Sequence, residues 1–342
     1  MTVDSVNGLD IAPLGLDQTF GAMVCGLDRE QLRDEAVRKT LFELWIDKGV
    51  ILFRGNTSAE MHVALSRCFG ELEPHPFPES AEPGLPELVK IKYYPEDGTC
   101  YDVGGEQRGG WLPWHSDLIY TDRINRGGIL RPVELPQELG LTGFIDQIAA
   151  WERLPQSLKD RIEDLHVVYV VDMDFSRHRF AHDGNVQCLR MAKSGASIAR
   201  RMWTYPRVVH PMVFTQAETG RKVLNVSPGF AEGILEMGGP DGDALLREII
   251  AHCTDPAAAL LSSVARWRHG AVGQLAGIAL RHRGPASANA GHAAHHDQGR
   301  LWIGAKADRR CRGEFRHLTP AQPATPPLRQ EFIMKEQSIE QV

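Results

Sequence analysis

The apolar positions of this chain follow two rhythms, one helical and one strand-like. Residues 9–26, with Ile11, Leu14 and Leu16, read as short strands and turns. Over 28–47, Leu32, Val37, Leu41, Leu44 and Trp45 recur at spacings that predict a helix with one apolar stripe. Gly49-Val50-Ile51-Leu52-Phe53-Arg54-Gly55 is an unbroken apolar run between glycines, the pattern of a strand buried on both faces. Thr57-Ser58-Ala59-Glu60 then opens a second helix, with Met61, Leu65 and Phe69 on one face and Gly70 as its stop. Residues 74–110 are rich in Pro and Gly and predict one strand, 88–94, followed by a loop through Gly110 that would wall a binding site. Beyond it the pattern predicts a strand over 141–145 and a helix over 146–163 with Ile148, Trp151, Leu154, Leu158 and Ile162 inward. A strand over 165–171, two more over 210–214 and 223–226 around a Gly220 turn, and a helix over 241–252 complete the readable part. Many strands with few strand–helix–strand repeats point to a mixed α/β chain, built as an antiparallel barrel or jelly roll with helices outside.

Composition narrows the class without naming it. A chain of 342 residues with 42% apolar and 24% charged residues buries a full core. A formal net charge of −6 argues against a nucleic-acid or anionic-membrane partner. No apolar run reaches membrane length, and the first residues lack a basic stretch followed by an apolar one. The cysteines, at 25, 68, 100, 188, 253 and 311, form no CxxC pair, which suits reduced thiols and a cytoplasmic location. The oligomeric state is not legible.

The candidate chemistry lies in Trp114-His115-Ser116-Asp117. In an extended segment, residues two apart share a face, so His115 and Asp117 can offer an imidazole and a carboxylate to one metal ion. These are two corners of the two-His-one-carboxylate triad that holds non-heme iron(II) and leaves positions open. The tripeptide alone says little: with 14 His and 44 acids, His-x-acid should arise about twice by chance. It does occur twice, at His115-Ser116-Asp117 and at His295-His296-Asp297. The first copy gains weight from the strand-like Trp111-Leu112-Pro113 before it and Leu118-Ile119-Tyr120 after it.

The order of these blocks resembles the taurine dioxygenase-like family of iron(II)- and 2-oxoglutarate-dependent oxygenases. The resemblance rests on the 49–55 run, Cys68-Phe69-Gly70-Glu71-Leu72, Trp114-His115-Ser116-Asp117, Gly140-Leu141-Thr142, and His210-Pro211 with Thr219-Gly220-Arg221-Lys222. It covers residues from about Ile11 to about Thr254. It implies a double-stranded β-helix, iron(II) ligated by His115 and Asp117, and a Thr142 hydroxyl that contacts 2-oxoglutarate. The family has Gly-Asp before that Thr, where this chain has Gly140-Leu141. It also implies that the His210 block is structural and that the third ligand lies further on. The substrate would be a small organic acid-like molecule, hydroxylated with O2.

The chain then departs from the pattern. The family's closing signature is Trp-x-x-Gly-Asp, an apolar strand, Trp-Asp-Asn, a ligand His five residues on, and two Arg four apart. It is absent. Val264 to Arg300 is rich in Ala, Gly, Arg and His, has no Phe or Tyr, and predicts no strand. Its codons, read one base over, can encode the missing pieces at the family spacing: Leu-Trp-Asp-Asn-Trp-Arg across 271–276, a His at position 279, and Arg at positions 290 and 294. Residues 264–342 therefore read as a frame-shifted or divergent tail behind an incomplete oxygenase domain over 1–263, with the last barrel strands disrupted. Three functional readings follow. The first is an oxygenase, with His282 the substitute candidate for the third ligand. The second is an inactive pseudo-enzyme lacking that ligand and the Arg that pairs with 2-oxoglutarate. The third is a zinc hydrolase using His115, Asp117 and His210.

Overall fold

The computed structural model describes residues 4–14, 20–55, 58–78, 81–91, 93–122, 125–133, 141–200, 205–263, 269–273, 277–282 and 300–305, the last three as backbone only. The described elements belong to one compact unit within residues 1–307. It is a mixed α/β structure in which strands dominate.

The run that begins at Val50 shows why the sequence folds as it does. Strand Val50–Arg54 is buried on both faces. Its odd-numbered Ile51 and Phe53 pack with Leu41, Trp45, Leu65 and Phe69 of the neighbouring helical segments. Its even-numbered Val50 and Leu52 pack with Phe144. Two-residue periodicity in the strand thus meets a helix on one side and a second sheet on the other. Helix Glu35–Lys48 starts where Asp34 accepts a hydrogen bond from the Ala36 N–H, and stops at Gly49, whose φ of 68° suits glycine. Ser58 caps helix Ala59–Ser66 in the same manner, through the Met61 N–H.

Two sheets frame the site. The larger runs Asp4–Val6, Leu9–Pro13, Ala22–Cys25, Val50–Arg54, His269–Gly273, Gly127–Pro132, Arg300–Ala305, Leu85–Ile91 and Ala81–Glu82, with Leu72–Glu73 on the flank of Arg300–Ala305. Ala22–Cys25 and Val50–Arg54 are parallel. The smaller sheet runs Leu112–His115, Gly277–His282, Leu141–Asp146, Ala259–Ser263. Phe144 of the small sheet, fully buried against Val50 and Leu52 of the large one, joins them face to face.

Several expectations need correction. Residues 264–300 carry no strand signal, yet His269–Gly273, Gly277–His282 and Arg300–Ala305 are strands. Each lies between two other strands, where ladder hydrogen bonds from both neighbours satisfy its backbone whatever its side chains. The loop expected through Gly110 contains a hairpin, Cys100–Val103 with Glu106–Gly109, extended by Val186–Arg190. Its two-residue turn is Gly104-Gly105, with φ of 63° and 88°, the backbone a tight hairpin demands. The helix over 146–163 is two helices, Gln147–Arg153 and Gln156–Ile162. Pro155 disfavours helical backbone at Leu154, which is extended, with ψ 139°. No helix among the described residues is long and apolar enough to cross a membrane, and Cys25, Cys68, Cys100, Cys188 and Cys253 are free thiols.

Candidate metal and co-substrate site

His115 closes strand Leu112–His115, and the chain turns sharply after it, with Leu118 at φ 58°. The turn is pinned from a distant segment. The Ser116 N–H donates to Ser227 Oγ (2.9 Å), and the Gly229 N–H donates to the Trp114 carbonyl (2.9 Å). Gly229 suits this close approach, because a Cβ would lie 3.0 Å from both His115 Cβ and the Trp114 oxygen. Ser227 is held in turn: its N–H donates to the Tyr169 hydroxyl (3.3 Å), which itself donates to the Asn225 carbonyl (2.9 Å).

The His115 ring is buried, with Nδ1 2.8 Å from the Pro113 carbonyl and Nε2 3.0 Å from Asp117 Oδ1. A carbonyl only accepts, so Nδ1 carries the hydrogen and the Nε2 lone pair faces a carboxylate oxygen. Two acceptors so close need a cation between them, a proton or a metal ion. Fixing the far nitrogen on a backbone oxygen is also how ligand histidines are oriented. His115 and Asp117 therefore fit two corners of a metal site. Among the described residues, however, no group of three His, Cys, Asp or Glu side chains is placed to hold a metal. This donor set does not by itself complete a triad.

Thr142 lies on strand Leu141–Asp146, two places from Phe144, so the two share a face. The register aligns His115 with position 279 and position 279 with Phe144. Thr142 is thus on the face of the small sheet that bears His115, and it is buried. His282 pairs with Leu141 across the ladder; its side chain lies outside the described residues.

His210 sits elsewhere, on strand Val208–Pro211 of a separate three-stranded sheet. Its Nε2 is 2.8 Å from the Thr121 carbonyl, so that nitrogen donates and cannot ligate in this state. His115, Asp117 and His210 form no metal group, which removes the zinc-hydrolase reading.

One residue escaped the sequence reading. His75, in the Pro-rich stretch, faces the charge of Asp117, while burial, the larger effect, pulls its pKa down to about 4. Its Nδ1 accepts the Phe77 N–H (3.1 Å), leaving the proton of the neutral ring on Nε2. Phe77 stacks on Tyr120, Tyr120 meets Phe230 edge to face, and Phe230 meets His115 at 5.9 Å between ring centres. An aromatic wall thus runs from His75 to the His115–Asp117 pair, and burial pushes the Tyr120 hydroxyl pKa well up. The His75-Pro76 dipeptide was the available signal, but one histidine in a Pro-rich loop has no periodicity to mark it.

Replacing Gly229 with alanine tests the pinning. The added methyl forces His115 or Trp114 to move, and overpacking of this kind costs roughly 1–3 kcal/mol. The expected outcome in urea denaturation is a lower midpoint at unchanged slope. An unchanged midpoint would show that the turn yields freely.

The sequence profile of the taurine catabolism dioxygenase TauD, TfdA family matches residues 10–272, and the chain belongs to that family. The family's members are 2-oxoglutarate-dependent dioxygenases, which use iron(II), O2 and a small-molecule substrate. The chain is 27% identical over 248 residues to an (S)-phenoxypropionate/alpha-ketoglutarate-dioxygenase of Sphingobium herbicidovorans, covering 72% of this chain and 80% of that protein. It is 29% identical over 247 residues to the alpha-ketoglutarate-dependent 2,4-dichlorophenoxyacetate dioxygenase of Cupriavidus pinatubonensis, covering 70% and 80%. Its fold is similar to the crystal structure of a putative alpha-ketoglutarate-dependent taurine dioxygenase from Burkholderia xenovorans, with a TM-score of 0.66 at 21% identity over 88% of this chain and 93% of that one.

Proposed function

We propose that this chain is a dioxygenase scaffold for a small organic acid-like substrate, cytoplasmic, with a jelly-roll core, and that as written it turns over little or no 2-oxoglutarate. The carrying observation is the His115–Asp117 pair, with His115 Nε2 turned on the Asp117 carboxylate. In this reading the two hold iron(II), which when bound supplies the oxygen chemistry, and the Thr142 hydroxyl contacts 2-oxoglutarate. His115 is kept in its ligating tautomer by the Pro113 carbonyl. The Phe77–Tyr120–Phe230 wall excludes water from one side, and His75, neutral at ordinary pH, offers a donor beside it. The face-to-face sheets joined by Phe144 support the jelly roll. Phenoxy acids named for two relatives favour a carboxylate substrate.

The inactive reading keeps its own support: among the described residues no group of three His, Cys, Asp or Glu side chains is placed to hold a metal. The domain boundary near 263/264 belongs to that reading, with a frame-shifted or divergent tail from about Val264. The test is 2-oxoglutarate decarboxylation with iron(II), measured side by side for the chain as written and for a version with its frame restored from about Val264. The restored chain should consume 2-oxoglutarate and the written one should not. Equal activity would sink the frame-shift account.

A further inference from the structure

We propose that His210 is a positioning residue for Asp117: by holding the Thr121 carbonyl it keeps Leu118 in the left-handed backbone that turns the Asp117 carboxylate onto His115. Its use in metal binding rests on the reading of His115 and Asp117 as metal ligands; the backbone device does not.

The strained residue carries the argument. Among the described residues, two that are not glycine have a positive φ, Asn7 and Leu118. Asn7 stands in an Asn-Gly hairpin turn between two paired strands, where that conformation is ordinary. Leu118 is a bulky, buried residue at φ 58°, where its Cβ crowds the following carbonyl. Such a conformation persists only when its surroundings over-determine it. It falls directly after Asp117, whose Oδ1 meets His115 Nε2 at 3.0 Å. Relaxing Leu118 to an ordinary φ would swing either the chain that follows or Asp117 itself off its present path.

Three hydrogen bonds supply the hold. The Leu118 carbonyl accepts from the Thr121 N–H (3.0 Å) and from the Thr121 hydroxyl (2.7 Å), which closes the turn on itself. Those two are local and travel with the turn. The outside anchor is His210, whose Nε2–H donates to the Thr121 carbonyl at 2.8 Å from 89 residues away in the chain. The Ile119 backbone meets the same ring. His210 is itself fixed: it is buried, pairs with Val167 across a ladder, and lies beside the Tyr169 ring. Upstream of Asp117, Ser227 Oγ holds the Ser116 N–H. Asp117 thus sits between two anchors. Tyr169 touches both, its ring against His210 and its hydroxyl accepting the Ser227 N–H.

The backbone device is tested without metal, by urea denaturation of the full chain. Leu118→Ala and Leu118→Gly lose nearly the same packing and differ in what they allow at positive φ. In ordinary backbone the alanine variant is the more stable; in left-handed backbone the order reverses. L118G should exceed L118A by about tenfold in the folding equilibrium, the size of the penalty an L-residue carries there. In an H210L background the gap should close, because the turn can then relax. A gap absent from the unaltered background shows Leu118 to be unstrained, and a gap that persists in H210L shows that His210 is not what holds it. Either result overturns the inference.

The effect on the metal pair is read by isothermal titration with cobalt(II). H210L should weaken binding about tenfold, the lower end of the loss that removing an outer partner of a ligand brings. H210Q, whose side-chain amide can donate to the same carbonyl, should restore it. V37A, a core truncation in helix Glu35–Lys48, should lower stability without moving cobalt affinity. Cobalt affinity that H115A lowers and H210L leaves unchanged makes His210 a packing residue and overturns the inference. Cobalt binding that is absent, or indifferent to H115A, removes the metal reading instead, and the comparison at Leu118 then decides the backbone device by itself.

Discussion

Phe144→Ala should destabilise the fold by about 3–5 kcal/mol, the range for deleting a fully buried aromatic ring. Phe144 has no exposed surface and packs against Val50 and Leu52, with Leu14, Phe20 and Met23 at the margin. Its ring is a contact between the two sheets, so truncation leaves a cavity that neither sheet can close without sliding. Chemical denaturation monitored by fluorescence and by circular dichroism should show one shifted transition. A loss below about 1 kcal/mol would mean that the sheets do not meet there.

The second large effect is acid lability. His75 has its pKa pulled from 6.5 to about 4 by burial, against the partial support of Asp117. The folded ring therefore binds a proton more weakly than the unfolded one. Above about pH 6.5 both states are neutral and there is no penalty. As the pH falls from there towards 4, the unfolded chain gains a proton that the folded chain refuses, and stability drops. The full shift corresponds to about 3 kcal/mol, an upper bound because the ring keeps some contact with solvent. His178 and His210 are shifted in the same direction by burial, so they deepen the loss. Urea denaturation at pH 7.5 and 4.5 measures it. His75→Asn, whose side-chain oxygen can still accept the Phe77 N–H, should flatten the profile, and an equally steep profile would put the acid sensitivity elsewhere.

Legibility in the sequence followed local physics. The 49–55 run was readable because a strand buried on both faces has to be apolar at every position. Helix Gly239–Cys253 was readable because Leu245, Leu246, Ile249 and Cys253 mark one buried face. The Cys100–Gly109 hairpin was missed although Gly104-Gly105 is a strong turn signal, because Cys100–Val103 carries no alternation and Glu106–Gly109 is mostly polar. The strands after residue 264 were missed because their pairing satisfies backbone groups and leaves no trace in side-chain pattern.

By itself the sequence determined several of the elements before about residue 254, the family, and the spacing that lets His115 and Asp117 share one side of an extended segment. Those are properties of near neighbours in the chain, where periodicity and spacing act directly. Only the tertiary structure decided the rest. It turned His115 Nε2 onto Asp117 by fixing Nδ1 on Pro113, and pinned that turn with Ser227 and Gly229, more than a hundred residues away. It took His210 out of contention by seating it on Thr121, brought His75 and its aromatic wall to the pair, and set position 279 opposite His115. Apart from the two-residue contacts of His115 with Pro113 and Asp117, none of these has a local signature, because each depends on which distant segments meet and in what register. That is settled by burial over the whole core and not by any one segment.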